Sequence, residues 1–121
     1  MEEAHQAHVD GDRLIQIAMA FNDAWNSGDR DRIITFFATD AVVRIIPPPP
    51  PPQSELFEGT ATIAEWIDRT LELPFQVQAS NYRVAGSVVT WDAFFPHEGA
   101  DATVNVSEAV FDGNLIRDFT P

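Results

Sequence analysis

The sequence contains no cysteine and no lysine, and its only tyrosine is Tyr82. Without lysine, the chain cannot form a Schiff base with a carbonyl substrate, and it lacks the lysine of a phosphate-binding loop. Without cysteine, it has no disulfide bond, no thiolate nucleophile and no cysteine-ligated zinc site. The groups that remain for chemistry are carboxylates, histidines, arginines and hydroxyls.

Positive charge is also scarce. Seven basic residues, all of them arginines, stand against nineteen acidic residues, so the formal net charge is −12. Such a surface repels phosphates, and we therefore expect no nucleic-acid partner. No apolar run approaches the roughly 20 residues that span a bilayer, and the polar, acidic start of the chain is unlike a signal peptide. We expect a cytoplasmic protein that does not bind membranes.

The length and composition indicate one folded domain. The chain has 121 residues, of which 45% are hydrophobic, with nine phenylalanines and three tryptophans. A chain of this size can bury one hydrophobic core. We expect residues 1–11 to form a flexible tail and residues 12–121 to form the domain.

Apolar residues recur at helical spacing over residues 14–25 and predict a first helix. Asp12 is its predicted N-cap, and Gly28 is the residue at which it ends. Asp29 caps a shorter second helix, and a third helix follows further along the chain.

The third helix is predicted to begin at a cap formed by Thr60 or Thr62, and the rest of the pattern is typical of strands. The proline run Pro47–Pro52 must leave the sheet, because proline cannot donate a ladder hydrogen bond. We interpret it as a rigid lip at a cavity mouth, or as a ligand for a proline-reading module. The strand segments are 41–46, 75–84, 88–95, 103–111 and 115–119. Three helices in the N-terminal half followed by antiparallel strands predict an α+β fold.

Several short strings have an order and spacing that recur in one known group of proteins. They are Ala24–Asp29, Phe37–Val43, Gly59–Ile63, Thr70–Pro74, Phe111–Ile116 and Arg117–Phe119. With these strings the chain resembles the nuclear-transport-factor-2-like superfamily, and within it the SnoaL-like and ketosteroid-isomerase-like proteins. The resemblance implies a strongly curved sheet wrapped round a long helix, forming a cone whose pocket holds a small, often apolar molecule without a cofactor.

The resemblance also argues against steroid isomerisation. Ketosteroid isomerases use a tyrosine and two aspartates, and the matching positions here are Phe21, Ile45 and Ser107. Phenylalanine cannot donate a hydrogen bond, and isoleucine cannot take a proton. The apolar wall is kept, with Trp66 at a position that is aromatic in the isomerases.

Part of the chain is similar to limonene epoxide hydrolases, in which two aspartates linked by an arginine activate water. The strings around Asp118 and Asp92 match those that carry the two aspartates. Thr90 stands at the position of the arginine, and Val43 and Ile45 stand where the water-binding tyrosine and asparagine would be. Only half of such a site is present.

Asp118 is the first candidate for catalysis. Alternation along the last strand puts Ile116, Asp118 and Thr120 on one face. The family match turns that face towards the cone, where partial desolvation would raise the pKa of the carboxyl group. An exposed or arginine-paired Asp118 is the alternative.

The role of Asp92 depends on strand register. Apolar alternation turns Trp91 inward and leaves Asp92 outside, whereas the epoxide-hydrolase match turns Asp92 inward. If Asp92 and Asp118 share the cavity, repulsion splits their pKa values into one acid and one base. The residues predicted to contact the ligand are Phe21, Trp25, Ile45, Trp66, Asn105, Ser107 and Phe111.

The remaining features concern metals and partners. His5 and His8 have the spacing of a metal pair but no third ligand within reach, and His97 is expected in a solvated loop, so no metal is predicted.

The family pattern turns Ser107 inward, which leaves Val106 and Glu108 on a valine-rich outer face. That face needs a cover, and a twofold homodimer would supply it.

Three functions are consistent with these observations. The first is cofactor-free acid–base chemistry on a small apolar molecule by an isomerase, cyclase, dehydratase or epoxide hydrolase. The alternative is a non-catalytic protein that binds a hydrophobic ligand, or a dimerisation module.

Overall fold

The structure, a computed structural model, describes residues 2–45, 56–72, 76–95 and 103–121. The run Pro47–Pro52, His97 and the side chains of His5 and His8 lie outside what it describes. Three helices pack on one face of a curved six-stranded sheet, which confirms the α+β prediction.

The first helix, α1, spans Glu2–Ser27 and is longer than the sequence pattern indicates. It includes most of the segment expected to be a tail, and Asp12 is an interior residue of the helix instead of its cap. Glutamate, alanine and glutamine dominate the start of the chain and favour helix, which accounts for the extension. At the other end, Gly28 has a φ of 70°, as expected for the residue that ends a helix.

Two short helices follow. Helix α2 spans Arg30–Ile34, and the Asp29 carboxylate accepts a hydrogen bond from the Arg32 amide at 3.1 Å, which confirms the predicted cap.

Helix α3 spans Thr60–Thr70, and the predicted threonine cap is wrong. Gly59 occupies the N-cap position with a φ of 84°, and no side chain caps the helix. The Gly59 amide donates to the Ala41 carbonyl at 2.9 Å, so the chain enters the helix directly from the sheet.

The strands in chain order are β1 (Phe37–Arg44), β2 (Leu56–Glu58), β3 (Gln78–Ala85), β4 (Val88–Phe95), β5 (Thr103–Asp112) and β6 (Leu115–Thr120). Their order in the sheet is β2-β1-β6-β5-β4-β3. The prediction of a wholly antiparallel sheet is wrong, because β1 pairs with β6 in parallel. The connection between these two strands runs through most of the chain, which gives it the length that a parallel pair requires. Strand β2 was not predicted.

The core lies between the helices and the inward face of the sheet. Phe21, at the centre, is fully buried, with ring centroids of Trp25, Phe36, Phe37 and Phe119 at 5.0–6.2 Å. The rings meet edge to face, the arrangement that aromatic pairs favour. In the described part of the chain, no helix combines the length and apolarity needed to cross a membrane.

Candidate functional site

A cavity of about 210 Å³ lies between α1, the end of α3 and the inward face of the sheet. Its lining is mainly apolar and aromatic. The residues around it are Asn22, Trp25, Trp66, Thr70, Val77, Trp91, Ser107, Phe119 and Pro121. Among these lining residues there is no acidic, basic or histidine side chain.

Aromatic rings form most of the wall. Trp25 and Trp66 meet edge to face with centroids 5.4 Å apart, and Trp91 stacks on Phe119 at 6.1 Å. Trp66 and Phe119 join the two pairs at 6.4 Å. All three tryptophans of the chain therefore line this one cavity.

The register of β4 and β5 brings Trp91 and Ser107 to the cavity. These residues are direct partners across the antiparallel pair and point to the same face. Trp91 is 1% exposed and Ser107 is 2% exposed. The apolar alternation on β4 therefore predicts the correct face, and the inward orientation of Asp92 that the epoxide-hydrolase resemblance implies is wrong.

Helix α1 contributes a polar edge to the cavity and fixes its rim. Asn22 lines the cavity and is 7% exposed. One turn later, the Asn26 carboxamide donates to the Val77 carbonyl at 2.8 Å and accepts from the Val77 amide at 2.7 Å. This two-point contact holds Val77, which precedes β3, against the end of α1.

Asparagine, threonine and serine side chains are the three polar aliphatic side chains of the lining, and they differ in the hydrogen bonds that they form with the protein. The Thr70 hydroxyl donates to the Trp66 carbonyl at 2.8 Å. The Asn22 amide nitrogen donates to the Tyr82 hydroxyl at 2.9 Å. The Ser107 hydroxyl makes no hydrogen bond within the described residues, so its donor and its acceptor face the cavity.

Tyr82 contacts two residues of the cavity wall, Trp91 and Asn22. Its ring lies 5.8 Å from that of Trp91. Burial raises the pKa of Tyr82 above its ordinary 10.0, the hydrogen bond from Asn22 lowers it, and the charge of Asp23 adds to the increase. The phenol is therefore neutral at physiological pH and can donate or accept a hydrogen bond.

Asp118 does not face the cavity, so the expected inward orientation is wrong. A bulge interrupts the pairing of β5 and β6: Phe111 pairs with Ile116, but the preceding Val110 pairs with Asp118. Arg117 is the extra residue, and it reverses the alternation beyond Ile116. Phe119 then turns inward, and the Asp118 carboxylate on the outer face pairs with Arg44 at 3.1 Å.

Asp92 also lies on the outer face, with its side chain 26% exposed. The Asn81 amide donates to its carboxylate at 2.8 Å, and the Arg83 guanidinium donates at 3.2 Å. These two hydrogen bonds, with Arg83's charge, hold the pKa of Asp92 below its ordinary 3.8, although desolvation opposes them. Asp92 and Asp118 are thus paired with arginines on the outer face of the sheet and do not form an acid–base pair in the cavity.

Of the residues predicted to contact the ligand, Trp25, Trp66 and Ser107 line the cavity. The others do not. Phe21 and Phe111 are buried in the core, Ile45 is half-buried just beyond β1, and Asn105 is exposed although its alternation matches that of Ser107.

The lining residues that sequence reasoning missed include Asn22, Trp91 and Phe119. Asn22 gives a usable signal, because it lies between Ala18 and Trp25 on the apolar stripe of α1, where a polar residue is unexpected. Phe119 gives none, because a bulge decides its orientation.

The comparisons with known proteins agree on the fold. The profile of the SnoaL-like domain family matches residues 18–106. No curated protein sequence matches the chain.

Solved structures with the same architecture share little sequence with this chain. An epoxide hydrolase/cyclase-like enzyme with a role in pyran ring formation in the polyether salinomycin is 16% identical, with a TM-score of 0.75 over 92% of this chain and 90% of its own. A putative polyketide cyclase from Sinorhizobium meliloti is 18% identical, with a TM-score of 0.72 over 87% and 92%. A hypothetical protein from Catenulispora acidiphila with a ketosteroid isomerase-like fold, in complex with trimethylamine, is 21% identical, with a TM-score of 0.67 over 86% and 82%.

Proposed function

Since the chain belongs to the family of SnoaL-like domains, we propose that it binds a small, mainly apolar molecule in the cavity walled by Trp25, Trp66 and Trp91. The observation that carries this proposal is an aromatic cavity whose lining includes a few polar groups. Concave, mostly apolar sites with a few polar groups are typical of small-molecule binding.

The size of the cavity limits the ligand. An apolar protein cavity of about 150 Å³ holds benzene. By that scale, the 210 Å³ here accommodates about eight non-hydrogen atoms of a ligand. A substituted six-membered ring is the natural size of molecule to test.

The geometry favours ligand binding over the acid–base chemistry that the sequence suggests. Asp118 and Asp92 lie on the outer face in ion pairs with Arg44 and Arg83. General acid–base catalysis requires the carboxyl group within hydrogen-bonding reach of the ligand. We therefore expect Asp118→Asn to leave ligand affinity unchanged.

Tryptophan fluorescence tests the proposal directly, because all three tryptophans line the cavity. Titration with 1,4-dimethylcyclohexane or 4-methylcyclohexanol, excited at 295 nm, should shift the emission in a saturable way. Val77→Phe adds bulk at the cavity lining and should abolish the shift. Val84→Phe makes the same substitution outside the cavity, at a valine that is 37% exposed, and should retain it.

The result that contradicts the proposal is a flat titration with both probes, or an emission shift that Val77→Phe leaves unchanged. The unfolding midpoint of each variant, followed by circular dichroism, establishes that the protein is folded in each titration.

We also propose that two copies of the chain associate through the outer face of the sheet. Val106 on this face is 59% exposed, and the neighbouring Glu108 is exposed as well. Paired copies would cover the exposed valine, and the carboxylates and guanidinium groups of the face offer charges of both signs for a twofold contact.

A further inference from the structure

We propose that the ligand carries a neutral oxygen-bearing group, an alcohol or a carbonyl, which hydrogen-bonds to Ser107 and Asn22. This inference rests on the proposed function and adds the chemical class of the ligand. It follows from the polar groups of the cavity wall whose hydrogen-bond donors and acceptors have no partner within the described residues.

Ser107 is the first of these groups. It is 2% exposed and lines the cavity, and its hydroxyl has no hydrogen-bond partner within the described residues. A hydroxyl carries one donor and two acceptor positions. Among the described residues no side-chain nitrogen or oxygen is both fully buried and without a partner, so the Ser107 hydroxyl is open to the cavity and can pair there with a ligand oxygen in place of water.

Asn22 is the second group. Its amide nitrogen uses one hydrogen on the Tyr82 hydroxyl at 2.9 Å. A carboxamide has a second donor hydrogen and an acceptor oxygen, and neither has a protein partner within the described residues. The bond to Tyr82 fixes the orientation of the carboxamide, so Asn22 offers a preset contact and not a mobile one.

The location of Trp91 links the two groups. Ser107 is its direct partner across β4 and β5, and Tyr82, which holds Asn22, lies against the Trp91 ring at 5.8 Å. A ligand ring placed on Trp91 can therefore direct a substituent towards one polar group or both.

The charge of the site disfavours an anionic substituent. No side chain described as lining the cavity carries a charge. A carboxylate or phosphate would lose its hydration without gaining a cationic side chain as a partner. The net charge of −12 further disfavours anions.

The experiment compares three probes of nearly equal shape by isothermal titration calorimetry. The probes are 1,4-dimethylcyclohexane, 4-methylcyclohexanol and 4-methylcyclohexanone, and the measured quantity is the ratio of the hydrocarbon Kd to the alcohol or ketone Kd. In Ser107→Ala this ratio should fall about tenfold, the effect expected for losing one hydrogen bond in a site shielded from water. Ser87→Ala, the same substitution at an exposed turn, should leave the ratio unchanged.

Asn22→Leu provides a second measurement, because it removes the other polar group. It should lower the ratio as well, and its folding is checked by its unfolding midpoint. Cyclohexanecarboxylate should bind the wild-type chain at least about a hundredfold more weakly than the alcohol, because its charge has no partner in the site.

The outcomes separate this inference from the proposed function. If the hydrocarbon binds and the ratio is the same in Ser107→Ala, Asn22→Leu and the wild type, the neutral-oxygen inference fails while ligand binding stands. If cyclohexanecarboxylate binds more tightly than the alcohol, the inference fails in its choice of charge. If none of the probes binds, the proposed function fails and the inference with it.

Discussion

Replacing Trp91 by leucine tests which face of β4 is interior. Trp91 is 1% exposed and stacks on Phe119 at 6.1 Å. Truncation to alanine would remove about 200 Å² of buried apolar surface. At about 25 cal/mol per Å², this would lower the free energy of unfolding by about 5 kcal/mol. That loss approaches the whole stability of a domain, which is about 5–15 kcal/mol. Leucine keeps roughly half of the contact, so Trp91→Leu should lower the free energy of unfolding by about 2–3 kcal/mol.

Urea unfolding followed by far-ultraviolet circular dichroism measures this loss. Tryptophan fluorescence is unsuitable because the substitution removes one of the three emitters. With a typical urea slope of about 1–3 kcal/mol per M, the midpoint should fall by about 1–3 M. Asp92→Ala is the control at the neighbouring position on the outer face, and its effect should be much smaller.

The reverse order of effects would refute the reasoning. If Asp92→Ala destabilised the chain as much as Trp91→Leu, the register with Trp91 inside would be incorrect. The cavity described above would then not exist in that form, because Ser107 is placed by the same register.

Three further predictions concern residues that do not line the cavity. Tyr82 should titrate above 10.0 because burial and the charge of Asp23 disfavour the phenolate; the unfolded chain ionises first, so stability should fall as the pH rises past about 10. Absorbance at 295 nm follows this single tyrosine, and a titration at or below 10 would contradict the placement. Asn81→Gly removes a hydrogen bond while suiting the φ of 54°, so a carboxyl carbon-13 titration should show a raised pKa for Asp92; an unchanged pKa would mean that the bond is absent in solution. Val106→Arg should convert the proposed dimer to a monomer in analytical ultracentrifugation, and a variant that still dimerises, or a monomeric wild type, would argue against the proposed contact.

Local sequence signals predicted most of the elements. Helical spacing gave the position of α1 around Trp25, and Asp29 is the cap of α2 as expected. Gly86 and Gly113 lie in the short turns between β3 and β4 and between β5 and β6, and their φ values of 60° and 62° are those that tight hairpin turns require. These features depend on residues near one another in the chain, and for that reason a sequence pattern contains them.

Other features of the fold depend on distant residues. The parallel pairing of β1 with β6 and the short β2 have no local signature, because both depend on where a remote segment packs. The start of α3 also depends on a distant residue. The Gly59 amide donates a hydrogen bond to the Ala41 carbonyl, and this contact with the sheet, in place of a threonine cap, decides where the helix begins.

The candidate site shows the same division. Trp25, Trp66 and Ser107 follow from periodicity and the family resemblance, and they do line the cavity. Asp118 does not, because one extra residue in β6, Arg117, turns the following side chains to the opposite face.

By itself, the sequence determined the class of fold and the kinds of chemical group from which a site could be built. The absence of lysine and cysteine left few groups for chemistry, and the aromatic residues at helical and strand spacing supplied an apolar wall. Only the tertiary structure decided which polar groups enter the cavity, because strand alternation has a period of two and a single bulge or register step exchanges the faces. That step put Ser107 and Trp91 inside and left Asp92 and Asp118 in ion pairs on the outer surface.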